Sequence, residues 1–447
     1  MDSPRIIIVG AGAAGLLAAG RAAELVREAG REREVEVVLL ERMRQVGRKI
    51  RISGKGRCNL SNTLPANEFI KHFNRSGRFL HQTFSRFFTE DLLELLNNLD
   101  LPTVVERGGR IFPADGSAVA VAEILEAWAR GLGVRVITGA HVRGLDCSHG
   151  RVRGLHYDLF SEHGKAGSGG DCGATKLAAT AILLATGGKS YPTTGSTGDG
   201  HFEAENLGHK IIRTRPSLVP LKAEGAPPSG VSDLKLRNVG TTLRINGKTH
   251  SRHFGELHFT KTGLGGPVVL EISRVVVAAL DGKKSPQPDL ELAVDLKPAL
   301  DVKKLDARLI RDLDSRDNAT WGDLLAGLLP RELLPTAERI CSLPLGKPCH
   351  QITGPERRVL RDWLKDWRFP ITGFGGFPEA IVTAGGVDTK EVDPHSMESR
   401  LVPGLYIMGE LLDVDADTGG FNLMAAFSTG WVGGEAAARS VLTTLES

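Results

Sequence analysis

The chain opens with four aliphatic residues, Ile6-Ile7-Ile8-Val9, the pattern of a short buried strand. The pattern breaks at once into small residues, Gly10-Ala11-Gly12-Ala13-Ala14-Gly15, and apolar positions then follow in a predicted helix from Leu16 to Glu28. A second strand is predicted from Val35 to Leu40 and ends in Glu41. Leu92, Leu93, Leu96 and Leu99 behind Thr89 predict an amphipathic helix. Another is predicted over 117–131, with Val121, Ile124, Leu125, Trp128 and Leu132 at helical spacing and Ser117 as its N-cap. Segments 134–137, 141–145, 152–157 and 178–185 read as strands.

The texture changes after Arg215. Pro216, Pro220, Pro227 and Pro228 punctuate short alternating runs such as 241–245, which predicts a mostly β segment. From 303 to 366 the pattern is helical and charged, with Trp321, Leu324, Leu325, Leu328 and Leu329 on one face. Buried-strand patterns return at 380–383 and 405–408, and a last helix is predicted from Phe421 to Leu445. The simplest architecture is α/β: a nucleotide-binding domain in two pieces, 1–215 and 374–447, interrupted by an insert over 216–373. The insert reads as β-rich to about 300 and helical over about 301–370.

Composition narrows the function classes. With 41% hydrophobic and 24% charged residues among 447, the chain is a globular protein large enough to bury a core without staples. Its 56 basic and 53 acidic residues are too balanced for an obligate nucleic-acid binder. Five cysteines (Cys58, Cys147, Cys172, Cys341, Cys349) contain no C-x-x-C pair, so neither a disulfide scaffold nor a structural metal site is expected. A reducing cytoplasm is the expected compartment. No uncharged apolar run approaches the ~18 residues of a membrane span. The stretch from Ile6 to Gly20 imitates a signal peptide, but its glycines at 10, 12, 15 and 20 do not suit one.

The glycines carry the chemistry. Glycine is abundant (54 residues), so three of them at G-x-G-x-x-G offsets arise by chance about once in such a chain. Context decides: Gly10, Gly12 and Gly15 follow a buried strand, open a helix and precede a second strand ending in an acid. Gly10 makes the turn, Gly12 lets backbone approach a pyrophosphate, and Gly15 lets helix and strand pack closely. Ala13 and Ala14 begin the helix, whose N-terminal amides and partial positive charge suit phosphate. Glu41 would accept from ribose hydroxyls, its extra distance explained by the polar insertion Glu28 to Glu34. The plainer alternative is a packing turn with no ligand.

Arg42 to Arg57 carries Arg42, Arg44, Arg48, Lys49, Arg51, Lys55 and Arg57, with no acid again until Glu68. One reading is an RNA-binding patch, though it lacks aromatics for base stacking; the others are a solvated loop or a loop along an anionic cofactor. Ser53-Gly54-Lys55-Gly56-Arg57-Cys58-Asn59, small residues and donors close to the first motif, favours the last. Ala185-Thr186-Gly187-Gly188 ends a buried strand, and Gly195-Ser196-Thr197-Gly198-Asp199-Gly200 leads into a helix. Neither Lys189-Ser190 nor Lys248-Thr249 makes a P-loop. Asp413, Asp415 and Asp417 imitate a calcium loop, but Thr418 and Met424 stand in its glycine and glutamate slots. Asp417-Thr418-Gly419-Gly420-Phe421-Asn422 reads instead as a helix entry whose free amides face an electron-rich ring edge, or as a plain capping turn.

Taken together, these residues resemble the bacterial BaiN-like flavoproteins, a family of NAD(P)/FAD-dependent oxidoreductases that includes a bile-acid enone reductase. The likeness runs from Gly10–Gly15 and Gly47-Arg48-Lys49 through Asn59, resumes at 185–188 and 195–200, and recurs at Phe259-Thr260 and 263–267. It is strongest from Val382 through Gly409-Glu410 to Gly420-Phe421-Asn422-Leu423. The resemblance implies a glutathione-reductase-type FAD-binding Rossmann-like fold. It implies Val142, Thr186 and Gly187 near the adenosine, Gly409 and Glu410 near the ribityl and pyrophosphate, and Gly420-Phe421-Asn422 at the flavin's pyrimidine edge. Lys261-Thr262 depart from the family's His-aromatic pair, and Gly265 from the serine of its G-L-S-G-P. The expectation is an FAD-dependent oxidoreductase acting on a small molecule, conjugated enones among the candidates, with NADH or NADPH as a transient donor and no nucleic-acid or membrane partner. Its rivals are an RNA-modifying flavoprotein and a flavin-binding protein without turnover. No catalytic acid is assigned; Tyr191, Cys58, His258 and Lys261 are candidates by residue type alone.

Overall fold

A computed structural model describes residues 4–159, 175–228, 231–282, 286–315 and 319–446. Cys172 lies outside them. The chain divides into two compact units, one formed by 1–216 with 381–447 and the other by 217–380.

The first unit is built on a five-stranded parallel sheet in the order 405–407, 181–184, 5–9, 36–41, 135–138. The opening strand Arg5–Val9 sits at its centre, paired with Ala181–Leu184 on one side and Glu36–Glu41 on the other. Both faces of a central parallel strand are covered, which explains its run of aliphatics. Ile6, Ile7 and Ile8 have no exposed surface. Two helices lie across this region, Ala13–Glu28 and the final Phe421–Glu446. Their backbones touch closely: a Cβ at Gly430 would stand 2.2 Å from the Ala14 carbonyl oxygen, and one at Gly434 2.3 Å from that of Ala18.

Two expectations change. The single strand read over 178–185 is two elements. Thr175–Ala178 joins an antiparallel sheet with Ala140–Ser148 and Arg151–Leu159, and Ala181–Leu184 enters the parallel sheet. The break falls at Ala179-Thr180, whose amides bond to Arg153 and Arg5; a continuous apolar run does not show such a change of partner. The strand read at 380–383 is Val382–Val387, and it pairs with Ile211–Ser217 outside the parallel sheet. Ser117 does cap its helix, accepting from Ala120 N at 3.2 Å.

The second unit is a closed antiparallel barrel of six strands: 221–223, 263–265, 248–260, 235–245, 290–295 and 367–374, the last returning to the first. Helices Pro267–Leu280, Val302–Asp314, Trp321–Ala326, Leu334–Cys341 and Gly354–Lys365 accompany it. The face read around Trp321 is buried throughout, with Trp321 and Leu325 fully enclosed. Burial of each such leucine contributes about 1.5–3 kcal/mol.

Candidate functional site

A cleft opens in the first unit at the carboxyl ends of the parallel strands, the place where α/β sheets take their ligands. Strand 5–9 delivers Gly10, Gly12, Ala13 and Ala14 to it, strand 36–41 delivers Glu41 and Arg42, strand 181–184 delivers Thr186 and Gly187, and strand 405–407 delivers Gly409 and Glu410. Val142, Lys49, Ser53 and Asn422 complete the predicted residues that reach it.

The three glycines of the opening motif differ in what demands them. Gly10 has φ +100°, and a Cβ there would meet the Ala185 carbonyl oxygen at 2.5 Å. A Cβ at Gly15 would lie 1.8 Å from the Gly10 carbonyl oxygen, so Gly15 packs the helix against the turn and does not line the cleft. Gly12 is the opposite case. It has extended backbone, lines the cleft, and a Cβ there would have no protein atom within 4 Å. The protein itself has room for a Cβ at Gly12, in space that an occupant of the cleft would share. Gly12 also begins the 16-residue helix without a side-chain cap or an acidic residue in the first turn, which leaves first-turn N–H groups for an outside acceptor. A pyrophosphate group fits that combination.

Glu41 is 9% exposed. One oxygen accepts from Ala11 N at 2.7 Å and the other from Met43 N at 2.8 Å. Burial pushes its carboxyl up, and those two backbone bonds and the nearby arginines oppose the shift. Each oxygen keeps a second acceptor site, so Glu41 shapes the glycine turn and can still accept from a ribose. Arg42 donates to Thr197 Oγ1 (2.8 Å) and Asp199 Oδ2 (2.7 Å), and His141 Nε2 meets the same Asp199 oxygen at 3.3 Å. Arg48 of the basic stretch lines the cleft too, and so do His141, Ser196, Thr197, Asp199 and Glu203, which the sequence reading did not name as site residues. The 195–200 run was the available signal for three of them. His141 had none, because its place depends on a strand from another sheet.

Other expected residues stand away from the cleft. Gly54 and Lys55 adopt left-handed conformations and are exposed, so the 53–59 loop touches the cleft only through Ser53. Arg57 pairs with Glu106 and lies 4.4 Å over the Phe112 ring. Cys58 is fully buried and its thiol is pushed up to about 12 by burial, so it is inert as a nucleophile. Asn59 Oδ1 is buried without a partner. Gly188 lies beneath Thr383, whose hydroxyl would be 2.3 Å from a Cβ there.

The 417–422 entry is a tied corner. Asn422 Oδ1 accepts from Ala416 N at 2.9 Å, and its amide nitrogen donates to the Ala416 and Asp417 carbonyls. Asp417 Oδ2 meets His72 Nδ1 at 3.1 Å. The Phe421 ring stacks on His72 (centroids 4.1 Å apart) and meets Phe69 edge-on, so it belongs to an aromatic cluster and leaves only the backbone of this turn for a ligand. Gly420 packs on the Ser61 backbone. Asp413 and Asp415 bond to Ser76 and Asn74. Among the described residues no group of three or more His, Cys, Asp or Glu is placed to hold a metal ion, and no helix is long and apolar enough to cross a membrane. Of the remaining candidates, His258 and Lys261 lie in the second unit.

Residues 4–436 match the family model of the HI0933-like protein Rossmann domain. A 3-dehydro-bile acid Δ(4,6)-reductase from Clostridium scindens is 31% identical over 435 residues, covering 97% of this chain and 99% of that one. A ribosomal RNA dihydrouridine synthase from Escherichia coli is 29% identical over 427 residues, with 95% and 96% covered. Among solved structures, the Mycobacterium smegmatis Sdh1 complex in the apo form shares the fold, with a TM-score of 0.50 and 17% identity over 98% of this chain and 69% of that one. A family model spanning nearly the whole sequence, and a relative of matching length, place the parallel sheet and its glycine turn in a known lineage. The chain belongs to the HI0933-like protein Rossmann domain family.

Proposed function

We propose that this protein is an FAD-dependent oxidoreductase that reduces a carbon–carbon double bond conjugated to a carbonyl in a small organic substrate, with NADH or NADPH as a transient donor. The observation that carries the reading is Gly12: a cleft-lining glycine that no protein contact requires, at the uncapped start of a helix and at the carboxyl edge of a parallel sheet. Bound FAD would supply the two-electron redox chemistry. The chain's part is to hold it. First-turn amides at Gly12, Ala13 and Ala14 would take the pyrophosphate charge, and Glu41 would accept from the ribose. The turn at Gly420-Phe421-Asn422, pinned by the Asn422 side chain, would present backbone amides and the positive end of the last helix to the pyrimidine edge.

The names of the two relatives support the reaction class. One is named a reductase of a 3-dehydro-bile acid and the other a synthase of dihydrouridine in ribosomal RNA, and both names fit reduction of a carbon–carbon double bond. The second name gives the RNA reading its one specific support. Against it, the basic stretch is largely neutralised within the chain. Arg42 pairs with Asp199, Lys49 with Glu410, Arg51 with Glu123 and Arg57 with Glu106. Side chains held by carboxylates are poorly placed to release counterions from phosphate.

The test begins with an absorption spectrum of the purified protein. A yellow protein, or one that binds FAD more tightly than FMN or NAD, is expected; a colourless protein that cannot be loaded with FAD ends the proposal. Loaded protein is then reduced with NADH or NADPH and offered conjugated enones and a uridine-containing ribosomal RNA fragment. Turnover of an enone supports the reading, turnover of the RNA alone transfers it to the RNA reading, and turnover of neither leaves a flavin-binding protein.

A further inference from the structure

Within the first unit, outside the lining of the cleft, a serine, a histidine and a glutamate stand in line. His209, just before strand Ile211–Ser217, has no exposed side-chain surface. Its Nε2 meets Ser399 Oγ at 2.9 Å, and its Nδ1 meets Glu391 Oε2 at 3.2 Å. Glu391 Oε2 also accepts from Lys210 N at 2.8 Å, and Asp388 N donates to the Lys210 carbonyl at 2.9 Å. Glu391 and Ser399 belong to segment 388–402, which joins strand Val382–Val387 to strand Leu405–Ile407. Those strands bring Val382 and, just past the second, Gly409 to the cleft. Strand 382–387 pairs with strand 211–217, and the chain leaves the first unit after 216 and re-enters it at 381. The contacts of His209 therefore tie the roots of both passages together.

The order serine, histidine, carboxylate is that of a nucleophile relay, but this hydroxyl is closed to substrate. Ser399 is 6% exposed, and its oxygen already accepts from Leu401 N at 3.0 Å and Val402 N at 2.9 Å. A hydroxyl has two acceptor lone pairs and one proton, so the proton is what remains for His209. Ser399 therefore donates to Nε2 and Nδ1–H donates to Glu391, which fixes a neutral imidazole in one tautomer. A second proton, on Nε2, would face an oxygen with no lone pair to offer. The ring could hold it only by releasing Ser399, and with Ser399 the turn at 399–402. We infer that Ser399, His209 and Glu391 form an acid-sensitive latch that holds 388–402 to the start of strand 211–217, closed while His209 is neutral and opened when it is protonated. The inference does not depend on what the cleft binds.

Burial holds the His209 imidazole below its ordinary 6.5, and the Glu391 carboxylate, the charged group that acts on the ring, opposes the shift. Of the charges on the neighbouring segments, Lys210 Nζ is taken up by Asp388 Oδ2 at 3.1 Å and the Glu398 carboxylate by Gly404 N at 2.8 Å. A histidine held down in this way stabilises its contacts fully above 6.5 and loses that contribution as pH falls. Hydrogen exchange read by mass spectrometry at about pH 8 and about pH 5.5, corrected for the chemical pH dependence of exchange, tests the latch. In the unaltered protein the amides of 388–402 are expected to exchange about tenfold faster at the lower pH, while those of strand Arg5–Val9 keep their protection. His209→Gln, which takes up no proton, should show no such acid response, and Ser399→Ala should exchange fast at both pH values. Nitrogen NMR of histidine-labelled protein should place the His209 proton on Nδ1 at the higher pH. Equal protection of 388–402 at both pH values, a loss shared equally by strand 5–9, a proton on Nε2, or an unchanged acid response in His209→Gln would overturn the inference. The first two are read on the unaltered protein, so the test stands even where a variant does not fold.

Discussion

The Glu41 carboxylate accepts the backbone N–H of Ala11, 30 residues earlier, at 2.7 Å. The bond ties the end of the second strand to the middle of the glycine turn, and the other carboxylate oxygen holds Met43 N at 2.8 Å. Glu41→Ala would therefore strip two backbone donors of their acceptor at a 9% exposed position. A loss of about 2–4 kcal/mol of stability is expected in protein without flavin, at about 1–3 kcal/mol per unsatisfied group with some relaxation. Chemical denaturation of the flavin-free form measures it. An unchanged midpoint would mean that Glu41 serves only a ligand.

The opening glycines should separate by phenotype. Gly15→Ala drives a Cβ to 1.8 Å from the Gly10 oxygen, and about 3 kcal/mol or more of destabilisation is expected with or without flavin. Gly12→Val adds a Cβ that has no protein atom within 4 Å. It should cost flavin-free protein only the roughly 1 kcal/mol of a poorer helix N-cap. Its FAD affinity should drop on the order of a hundredfold, because the side chain enters the space a pyrophosphate needs. Thermal melts of both forms and fluorescence titration with FAD report the two effects separately. Full flavin occupancy in Gly12→Val would reduce the motif to a packing turn.

His201 gives the protein a predictable acid sensitivity. Burial holds its imidazole down to about 4, and the Lys189 charge acts in the same direction, against an ordinary 6.5. Between those values the unfolded chain binds a proton that the folded chain refuses. Stability is therefore greatest above 6.5 and is lost as pH falls toward about 4, by up to about 3 kcal/mol from this group. His201→Gln should flatten the slope of unfolding free energy against pH across that window. Identical slopes for the two proteins would show that His201 titrates normally.

A nicotinamide donor should have no stable site of its own. The second unit is a closed antiparallel barrel with helices, and among its described residues there is no parallel sheet with a glycine turn to hold a second pyrophosphate. NADH and NADPH are expected to bind FAD-loaded protein weakly and to perturb the flavin spectrum when they do. Stoichiometric, micromolar binding that leaves the spectrum untouched would reveal a remote site.

Much of this protein was legible in its residues. Ile6 to Val9, Gly10 to Gly15 and Glu41 announced a buried strand, a tight glycine turn and the end of a second strand, because each is a local pattern with a local cause: aliphatics covered on both faces, close backbone packing, and a carboxylate at a strand end. The closing 420–423 block and the insert's change of texture were legible for the same reason. What the residues could not show was direction. Cys58 and Asn59 stand in the same run as Ser53, yet left-handed backbone at Gly54, Lys55 and Cys58 turns them inward while only Ser53 reaches the cleft. Phe421 reads as part of a turn at a ring edge, and what the residues could not show is that its own ring stacks on His72, 349 positions earlier by number.

The sequence by itself determined where chain can turn, cap and bury itself, since those outcomes depend on neighbours within a few residues. Only the tertiary structure separated the glycine that the protein's own packing requires from the one that it does not. Gly15 meets the Gly10 carbonyl, while Gly12 meets nothing. It also decided that Lys49, Ser190, Thr383 and Glu410 share one set of hydrogen bonds. Two of the four, Ser190 and Glu410, follow adjacent parallel strands, and the order of those strands is fixed by packing across the whole sheet, not by any stretch of sequence.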